Sequence, residues 1–228
     1  MNVLRIFLSC LLATLAVSAP AQNANQAAEP AIPTVTFDCS WDQATPQKFT
    51  ITVQSSGNAK YMSSSPTKAE DAGGVQDEYY ATEFSLSAAS REKVFHLAKD
   101  AGYFKGDFDY KDHPVASTGK KTLAFADKSR HFQTAYNYSE NKSIQELTAL
   151  FQGISGTIQH GRKLQFLRRF DKLGLEAELK GMEDENNSHF LAELQIISPI
   201  LNTIADDSAI MNIARQRARR LLAKIGPE

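Results

Sequence analysis

The spacing of apolar residues changes along the chain, and this change constrains the fold more than any other feature. Up to Tyr138, apolar and polar residues mostly alternate, as in "VTFDCSW" (35–41) and "KFTITVQ" (48–54), which is typical of strands with one buried face. From Lys142 onward, apolar residues recur every three or four positions, which is typical of amphipathic helices. Strands followed by helices predict an α+β fold: an antiparallel sheet covered by helices, followed by an all-α C-terminal region.

Turn-forming residues predict how the strands pair. The cluster Ser-Ser-Gly-Asn at 55–58 follows the second strand, so that "AKYMS" returns beside it. Two later alternating runs, "KTLAFAD" and "RHFQTAYNY", are joined by Lys128-Ser129 and form another hairpin. The run "EYYATEFSL" is a further strand. Residues 63–77 between these elements lack apolar periodicity and are rich in Ser, Gly and Pro, which predicts a mobile loop.

One helix is predicted between the two groups of strands. Ser87 has the side chain of an N-cap, an apolar stripe from Val94 to Ala101 follows, and Gly102 fits the left-handed position after the last turn. The segment "DAGYF" is therefore a helix end whose aromatic residues pack, and the rest of 100–121 is mainly a connection to the next strand.

Several helices are predicted in the second half of the chain. A capping box begins at Ser143, and the apolar spacing continues to Ile158, although Gly153 and Gly156 weaken the last turns. One or two short helices follow within 162–185, and the run "HFLAELQII" is again periodic. At Ser198-Pro199 the chain is predicted either to kink this helix or to start a new one, with Ser198 as its cap and Pro199 as its first residue. A last helix is predicted to begin at Asp207 or Ser208.

The N terminus has the pattern of a secretory signal peptide. Arg5 supplies a positive start, an apolar run shorter than a membrane span follows, and Ala19-Pro20-Ala21 is a small-residue cleavage site. We therefore expect cleavage after Ala21, no transmembrane segment in the mature chain, and a protein of the periplasm or the cell exterior. The expected regions are a signal peptide (1–21), a flexible leader (22–33), an α+β sheet domain (34–158) and a helical C-terminal region (159–228).

Cys39 is the single cysteine that remains after this cleavage, so that no internal disulfide is expected even in an oxidising compartment. In the strand 35–41 it shares the apolar face with Phe37. A free cysteine in such a position commonly behaves as a small buried apolar residue. We therefore expect Cys39 to be inert and to pack in the core, while a reactive thiol or an intermolecular bridge is the alternative.

The charge balance argues against nucleic acid as a partner. The chain carries 25 basic and 26 acidic residues, and removal of the leader with Arg5 makes the formal charge slightly more negative. A nucleic-acid-binding domain is usually strongly basic. The basic residues that do cluster lie in the last predicted helix.

Asp107, Asp109 and Asp112, followed by His113, are weak candidates for cation binding. Carboxylates suit calcium, but the spacing lacks the glycine and the terminal glutamate of an EF-hand loop. The five histidines show no ligand-pair spacing that would predict a zinc site. In an extended segment, Asp107 and Asp109 would simply share the outer face of an edge strand. No cofactor motif is found, and no metal is expected.

Nucleophilic and phosphate-binding motifs are not convincing. The pattern S-x-x-K is common in the chain, as at Ser65 and at Ser117, and neither S-D-N nor K-T-G accompanies it. A phosphate loop ending at Gly119 would need another glycine where Pro114 stands. Paired carboxylates of a hydrolase cannot be recognised without a three-dimensional distance. No catalytic residue is therefore assigned.

The last predicted helix carries the most conspicuous charge. Its apolar residues cluster on one side, and basic residues spread over the remaining arc. One interpretation is a solvated helix whose cations pair with the acidic stretch between Glu176 and Glu185; another is a surface that docks onto an acidic partner. For the docking interpretation, the candidate binding residues are Arg215, Arg219, Arg220 and Lys224.

Three segments carry a resemblance to known sequences. "YFKGDFDYKDHPVASTGKKTLAF", "LTALFQGISGTI" and "IARQRARRLLAKI" together resemble a family of exported bacterial proteins of unknown function. The resemblance implies an α+β module with a helical tail and supplies no catalytic residue. Separately, "PILNTIADDSAIMNIARQRARRLLAKIG" is similar to one HEAT-type helical hairpin, and this similarity favours a protein-binding surface although a solenoid needs at least three repeats.

These observations favour an exported, non-enzymatic binding module that acts on another envelope or secreted protein. The expected contact surface is the basic last helix or the 63–77 segment. A cell-envelope hydrolase with unpaired carboxylates is the first alternative, and a protein that binds a small molecule or a cation at Asp107–His113 is the second. The sequence does not predict the oligomeric state.

Overall fold

The computed structural model describes residues 32–68 and 75–225. Within them, six strands form one antiparallel sheet in the order β4-β3-β2-β1-β5-β6. The strands are β1 (Thr34–Ser40), β2 (Lys48–Gln54), β3 (Asn58–Lys68), β4 (Val75–Ser85), β5 (Lys120–Ala126) and β6 (His131–Tyr136). The predicted hairpins β2-β3 and β5-β6 are confirmed.

Five α-helices complete the predicted α+β fold, and four of them follow the last strand. They are α1 (Ala88–Asp100), α2 (Lys142–Phe170), α3 (Gly174–Asn187), α4 (Ser198–Asp206) and α5 (Asn212–Leu222). Short 3₁₀ helices occupy Gly102–Phe104 and Leu194–Ile197. Within the described ranges, no helix combines the length and the hydropathy that crossing a membrane requires.

One face of the sheet is buried, as the alternating sequence predicts. Val35 and Phe37 of β1 and Ile51 and Val53 of β2 have no exposed surface. Burying each such side chain contributes about 1.5–3 kcal/mol to folding. Helix α2 covers this face, and the ring of Phe151 stacks on Phe37 with the ring centroids 5.2 Å apart and the planes at 7°.

Cys39 lies on the same buried face and is only 8% exposed, which confirms its predicted place in the core. Burial raises the pKa of its thiol above the ordinary value, although the neighbouring Lys121 acts in the opposite direction. A thiol with a raised pKa holds little of the reactive thiolate at neutral pH. The structure therefore supports an inert packing role.

Helix α2 changes the side that it buries. Its 29 residues span roughly 44 Å, about twice the length of a seven-residue strand. Residues 18 positions apart point in the same direction at 100° per residue, yet Phe151 is fully buried and Arg169 is exposed. In the second half, Leu164 and Leu167 on another side of the helix are buried instead. The sheet-facing side of α2 therefore continues past the sheet without cover.

Two glycines allow the segment 190–197 to pack directly against α2. A Cβ atom on Gly153 would lie 3.0 Å from the carbonyl oxygen of Phe190, and one on Gly161 would overlap the Ile197 side chain. The prediction that the helix weakens near Gly153 and Gly156 is therefore wrong, because α2 continues without a break to Phe170. The cost of glycine in a helix is offset by this close packing.

Glu193 fixes the same segment to the beginning of α1. Its carboxylate accepts hydrogen bonds from the backbone N–H of Ser87 (2.7 Å) and from the hydroxyls of Ser87 (2.8 Å) and Ser90 (2.6 Å). Ser87 also caps α1 as predicted, since its hydroxyl accepts from the Ser90 N–H. A carboxylate at this position complements the positive end of the helix dipole.

The described residues contain two hydrophobic clusters. The first joins the sheet, α1 and α2 as far as Ile158, and the second begins at Leu164 and joins the end of α2 to the later helices. The boundary predicted between 158 and 159 lies inside α2, which belongs to both clusters. The division 34–158 and 159–228 stays a prediction, and the regions 1–21 and 22–31 lie outside the described residues.

Some predicted boundaries are wrong. Within 63–77, residues 63–68 and 75–77 are strand, because β3 and β4 pair as far as Lys68 and Val75; residues 69–74 lie outside the described residues. This ribbon needs no apolar periodicity, because its backbone hydrogen bonds form between two polar strands. Helix α2 is capped by Asn141 rather than by Ser143, since the Asn141 side chain accepts from the Ile144 N–H.

The later helix boundaries also differ from the prediction. The run "HFLAELQII" is helical only at Leu194–Ile197, because Glu193 has a left-handed backbone with φ of 57°. Ser198 is the first residue of α4 rather than its cap. Helix α5 begins at Asn212, after a turn in which the Asp207 carboxylate accepts from the Ala209 N–H.

Substituting two glycines tests the close packing of α2. Gly161→Ala should lower the free energy of unfolding by about 1–3 kcal/mol, because the new methyl group overlaps Ile197. Gly181→Ala in α3 is the matched control: its Cβ meets no atom within 4 Å, and it should raise stability by about 0.5–1 kcal/mol. Urea denaturation of both variants measures the difference, and an equal effect of the two substitutions contradicts the packing.

Candidate functional site

The predicted binding residues of α5 mostly face the protein itself. Arg215 Nε and Arg219 Nη2 donate to the carbonyl oxygen of Ala205 at the end of α4, at 3.2 and 2.8 Å. Arg220 Nε donates to Glu183 Oε1 at 2.7 Å. Lys224 is exposed and has no ion pair in the part of the chain that the structure describes. Three of the four predicted residues thus join α5 to its neighbours.

Arg217, which was not among the predicted binding residues, carries the strongest of these connections. It pairs with Glu176 at 2.9 Å and with Glu183, and its side chain is only 17% exposed. The predicted pairing of the basic helix with the acidic stretch is therefore present in the structure. Hydrogen bonds from the two arginines hold the pKa of Glu183 below its ordinary value, although burial alone would raise it.

The Asp107–His113 segment is held by local contacts. Lys111 pairs with Asp107, and this hydrogen bond lowers the pKa of the Asp107 carboxyl. Asp109 Oδ1 accepts from the Asn137 N–H at 2.8 Å, which fastens the segment to the end of β6. Among residues 32–68 and 75–225, the structure brings no three His, Cys, Asp or Glu side chains together as potential metal ligands, and Asp112 is exposed.

An open groove of about 990 Å³ lies where α2 extends past the sheet. We call it the α2 groove. Its floor is the buried face of the sheet, one wall is the connection between β1 and β2, and the other wall is α2 from Gln152 onward. Its lining includes Cys39, Phe49, Ser63 and Tyr80 on the floor, Trp41 and Pro46 on the first wall, and Gln159, Phe166, Arg169 and Phe170 on the second.

The floor is a row of directly paired residues across four strands. Cys39 pairs with Phe49, Phe49 with Ser63, and Ser63 with Tyr80, so that all four side chains point to the same face. Ser63 is only 4% exposed. Its hydroxyl has no hydrogen-bond partner within the described residues, although it lines the groove.

The α2 wall carries large apolar side chains that are open to solvent. Phe166 is 59% exposed and Phe170 is 65% exposed, and their ring centroids are 5.0 Å apart. The guanidinium of Arg169 lies 5.0 Å from the centre of the Phe170 ring. An exposed aromatic pair beside a groove is typical of an interaction surface.

Polar groups deeper on the α2 wall are held in fixed positions. Gln159 donates from Nε2 to the Tyr61 hydroxyl at 2.7 Å, and the Ser155 hydroxyl lies 3.2 Å from the same oxygen. The guanidinium of Arg162 lies over the Tyr80 ring, 4.3 Å from its centre, and donates to Gln159. These contacts join α2 to the sheet at the inner end of the groove.

His160 joins α2 to α3 beside the groove. Its Nδ1 lies 2.6 Å from Glu178 Oε1, and its Nε2 lies 3.1 Å from Glu185 Oε2. Burial acts to lower the pKa of His160, but the hydrogen bonds and charges of the two glutamates outweigh it and raise the pKa above the ordinary value of 6.5. Lys163 also pairs with Glu178 at 2.6 Å. Both ring nitrogens of His160 are therefore engaged by carboxylates.

The histidine, the Ser155 hydroxyl and the Cys39 thiol of the α2 groove are each engaged or buried. Its histidine has both nitrogens engaged, its Ser155 hydroxyl contacts Tyr61, and its Cys39 thiol has a raised pKa. A nucleophile needs an adjacent free base, and these three residues do not provide such a pair. The groove instead presents aromatic faces, amides and cations to a ligand.

Sequence reasoning missed the residues of the groove. The signal for its α2 wall is the run "RKLQFLRRF" at 162–170, in which Phe166 and Phe170 share a helix face with basic residues. The same spacing is also typical of a core helix, so that it does not by itself predict exposure. The floor residue Ser63 lies in the segment that was predicted to be a loop.

Comparison with protein-family models finds no match for the chain, and comparison with curated proteins finds none either. The resemblance to exported bacterial proteins and the similarity of the C-terminal segment to a HEAT-type hairpin stay predictions.

The pH dependence of stability tests the contacts of His160. The pKa of His160 in the folded state is raised above 6.5. Its contribution to the free energy of unfolding is therefore complete below pH 6.5 and is lost as the pH rises through the folded-state pKa. The pKa of Glu178 is lowered from 4.5, so that its contribution is present above pH 4.5 and is lost as the pH falls through its folded value. The joint stabilisation is therefore greatest between pH 4.5 and pH 6.5.

His160→Gln should be less stable than the native protein in this range, and the difference should shrink at higher pH. Urea denaturation from about pH 4 to pH 9 measures it. His96→Gln is the control, because the His96 side chain is 72% exposed. A difference that does not vary with pH contradicts the role of the imidazolium.

A charge reversal of α5 tests whether its arginines serve the fold. The triple variant Arg215→Glu, Arg219→Glu and Arg220→Glu should lower the melting temperature by many degrees. Two new carboxylates would face the Ala205 carbonyl, and the third would face Glu183. Lys224→Glu is the control and should change the melting temperature little. An unchanged melting temperature in the triple variant would restore the predicted α5 docking surface.

Proposed function

We propose that the protein is an exported, non-enzymatic binding module that holds an extended acidic segment of another envelope or secreted protein in the α2 groove. Export follows from the predicted signal peptide. The observation that supports binding at this place is the exposed pair Phe166 and Phe170 on the part of α2 that extends past the sheet. The contact surface thus shifts from α5 to the groove, whose floor includes Ser63 of the 63–77 segment.

The aromatic pair provides the main affinity. A partner that covers Phe166 and Phe170 removes apolar surface from water, and aromatic residues dominate the energetics of protein interfaces. The opposite wall is formed by Trp41 and by the buried Pro46, so that a bound segment is enclosed from two sides. An open groove between two walls suits an extended chain better than a small enclosed molecule.

The charges of the groove favour an acidic partner. Within the described lining, Lys163 and Arg169 are basic, and Glu178 and Glu185 are acidic. Both glutamates already contact His160, whose raised pKa favours the protonated form. Arg169 is exposed and pairs with no carboxylate of the described residues, so that it is available to an acidic segment. Such electrostatic complementarity speeds association and makes it sensitive to salt.

No contact favours the two alternative functions. The carboxylates of the groove, Glu178 and Glu185, are engaged by His160 rather than by each other across an open space. At the candidate cation loop, Asp107 pairs with Lys111, and Asp109 accepts from Asn137. A hydrolase and a cation-binding protein are therefore not proposed.

Selection from a displayed peptide library tests this function. Residues 22–228 are immobilised and should enrich peptides with acidic and aromatic residues. Isothermal titration should show that Phe166→Ala combined with Phe170→Ala weakens binding of the selected peptides by at least roughly tenfold, because the apolar contact is lost. Arg169→Glu should weaken binding most at low salt.

Phe190→Ala is the matched control, because Phe190 is 70% exposed but does not line the groove. It should leave binding unchanged. Selection of peptides without acidic residues, or affinity that survives loss of both groove phenylalanines, would overturn the proposal.

A further inference from the structure

Ser63 places a hydroxyl on the floor of the α2 groove. The residue is 96% buried between its cross-strand neighbours Phe49 and Tyr80, and it has no hydrogen-bond partner within the described residues. The buried hydroxyls of α2 differ in this respect: Thr157 donates to the Ala192 carbonyl at 2.7 Å, and Ser155 contacts Tyr61. The Ser63 oxygen is not among the fully enclosed unpaired atoms of the described residues, so its hydrogen bonds are open to a group that enters the groove.

The surroundings of Ser63 define the shape and polarity of that ligand group. The floor beside it is formed by Phe49 and by the Cys39 thiol, and the walls above carry Trp41 and Phe166. A side chain that enters from the rim between Trp41 and Phe166 therefore passes apolar surfaces before it reaches the Ser63 hydroxyl. It must be apolar along its length and polar at its tip.

We propose that the α2 groove selects a tyrosine side chain of its partner, with the aromatic ring between Trp41 and Phe166 and the phenolic hydroxyl hydrogen-bonded to Ser63. This inference rests on the proposed function and names the residue that anchors the bound segment. Tyrosine combines a flat apolar ring with a terminal hydroxyl that both donates and accepts. The acidic residues of the segment then face the basic rim.

Other side chains fit the same place less well. Phenylalanine fills the apolar part of the site but covers the Ser63 hydroxyl without pairing it. A site that hydrogen-bonds a ligand hydroxyl discriminates strongly against an analogue that lacks this hydroxyl. Lysine and arginine place a cation near Lys163 and Arg169. The tryptophan N–H lies on the side of its ring rather than at the tip and only donates.

Two short peptides test the anchor. The probes are acetyl-Glu-Glu-Tyr-Glu-Leu-amide and its counterpart with phenylalanine in place of tyrosine, and isothermal titration measures their dissociation constants. The native protein should bind the tyrosine peptide roughly ten- to a hundredfold more tightly than the phenylalanine peptide. Ser63→Ala should remove this preference by weakening the tyrosine peptide, while the phenylalanine peptide binds as before or more tightly.

Ser64→Ala is the matched control, because Ser64 is the next residue of β3 and points to the opposite face of the sheet. It should keep the preference for tyrosine. Equal affinity of the native protein for both peptides, or a preference that survives in Ser63→Ala, would overturn the tyrosine anchor and leave the binding groove intact. Failure of both peptides to bind at millimolar concentration would overturn the groove function together with the anchor.

Discussion

The stacking of Phe151 on Phe37 places α2 on the sheet, and the rest of the structure depends on how far the helix continues from that point. A helix that ended with the strands would complete a closed two-layer domain. Because α2 runs on to Phe170, one of its sides leaves the sheet while another packs into the C-terminal helices. The same element thus closes the first core, supports the second, and leaves an open groove between the two.

Polar contacts act together with the apolar packing of Leu164 and Leu167 to fix the part of α2 that extends past the sheet. His160 and Lys163 bind carboxylates of α3, and Gln159 binds the Tyr61 hydroxyl of the sheet. These contacts hold the groove walls at a set distance without filling the groove. A wall fixed in this way is preorganised for a partner, so that little ordering is needed when the partner binds.

Local patterns in the sequence were sufficient to predict the elements that depend mainly on residues close together along the chain. The alternation around Phe37 and the cap at Ser87 gave the strands and the first helix correctly. The continuity of α2 could not be predicted, because the glycine penalty is local while the segment that packs against Gly161 lies more than thirty positions away. The position of Ser63 in the groove depends on the register of four strands, which no local pattern contains.

The carboxylate of Glu193 has a consequence for the order in which the chain assembles. Ser87 and Glu193 are separated by 106 positions, so that the beginning of α1 receives this partner only when the segment before α4 is in place. Contacts of such long sequence separation slow the folding of a domain. The full capping of α1 therefore depends on a residue that lies beyond α3, and loss of that segment would leave the Ser87 and Ser90 hydroxyls without this acceptor.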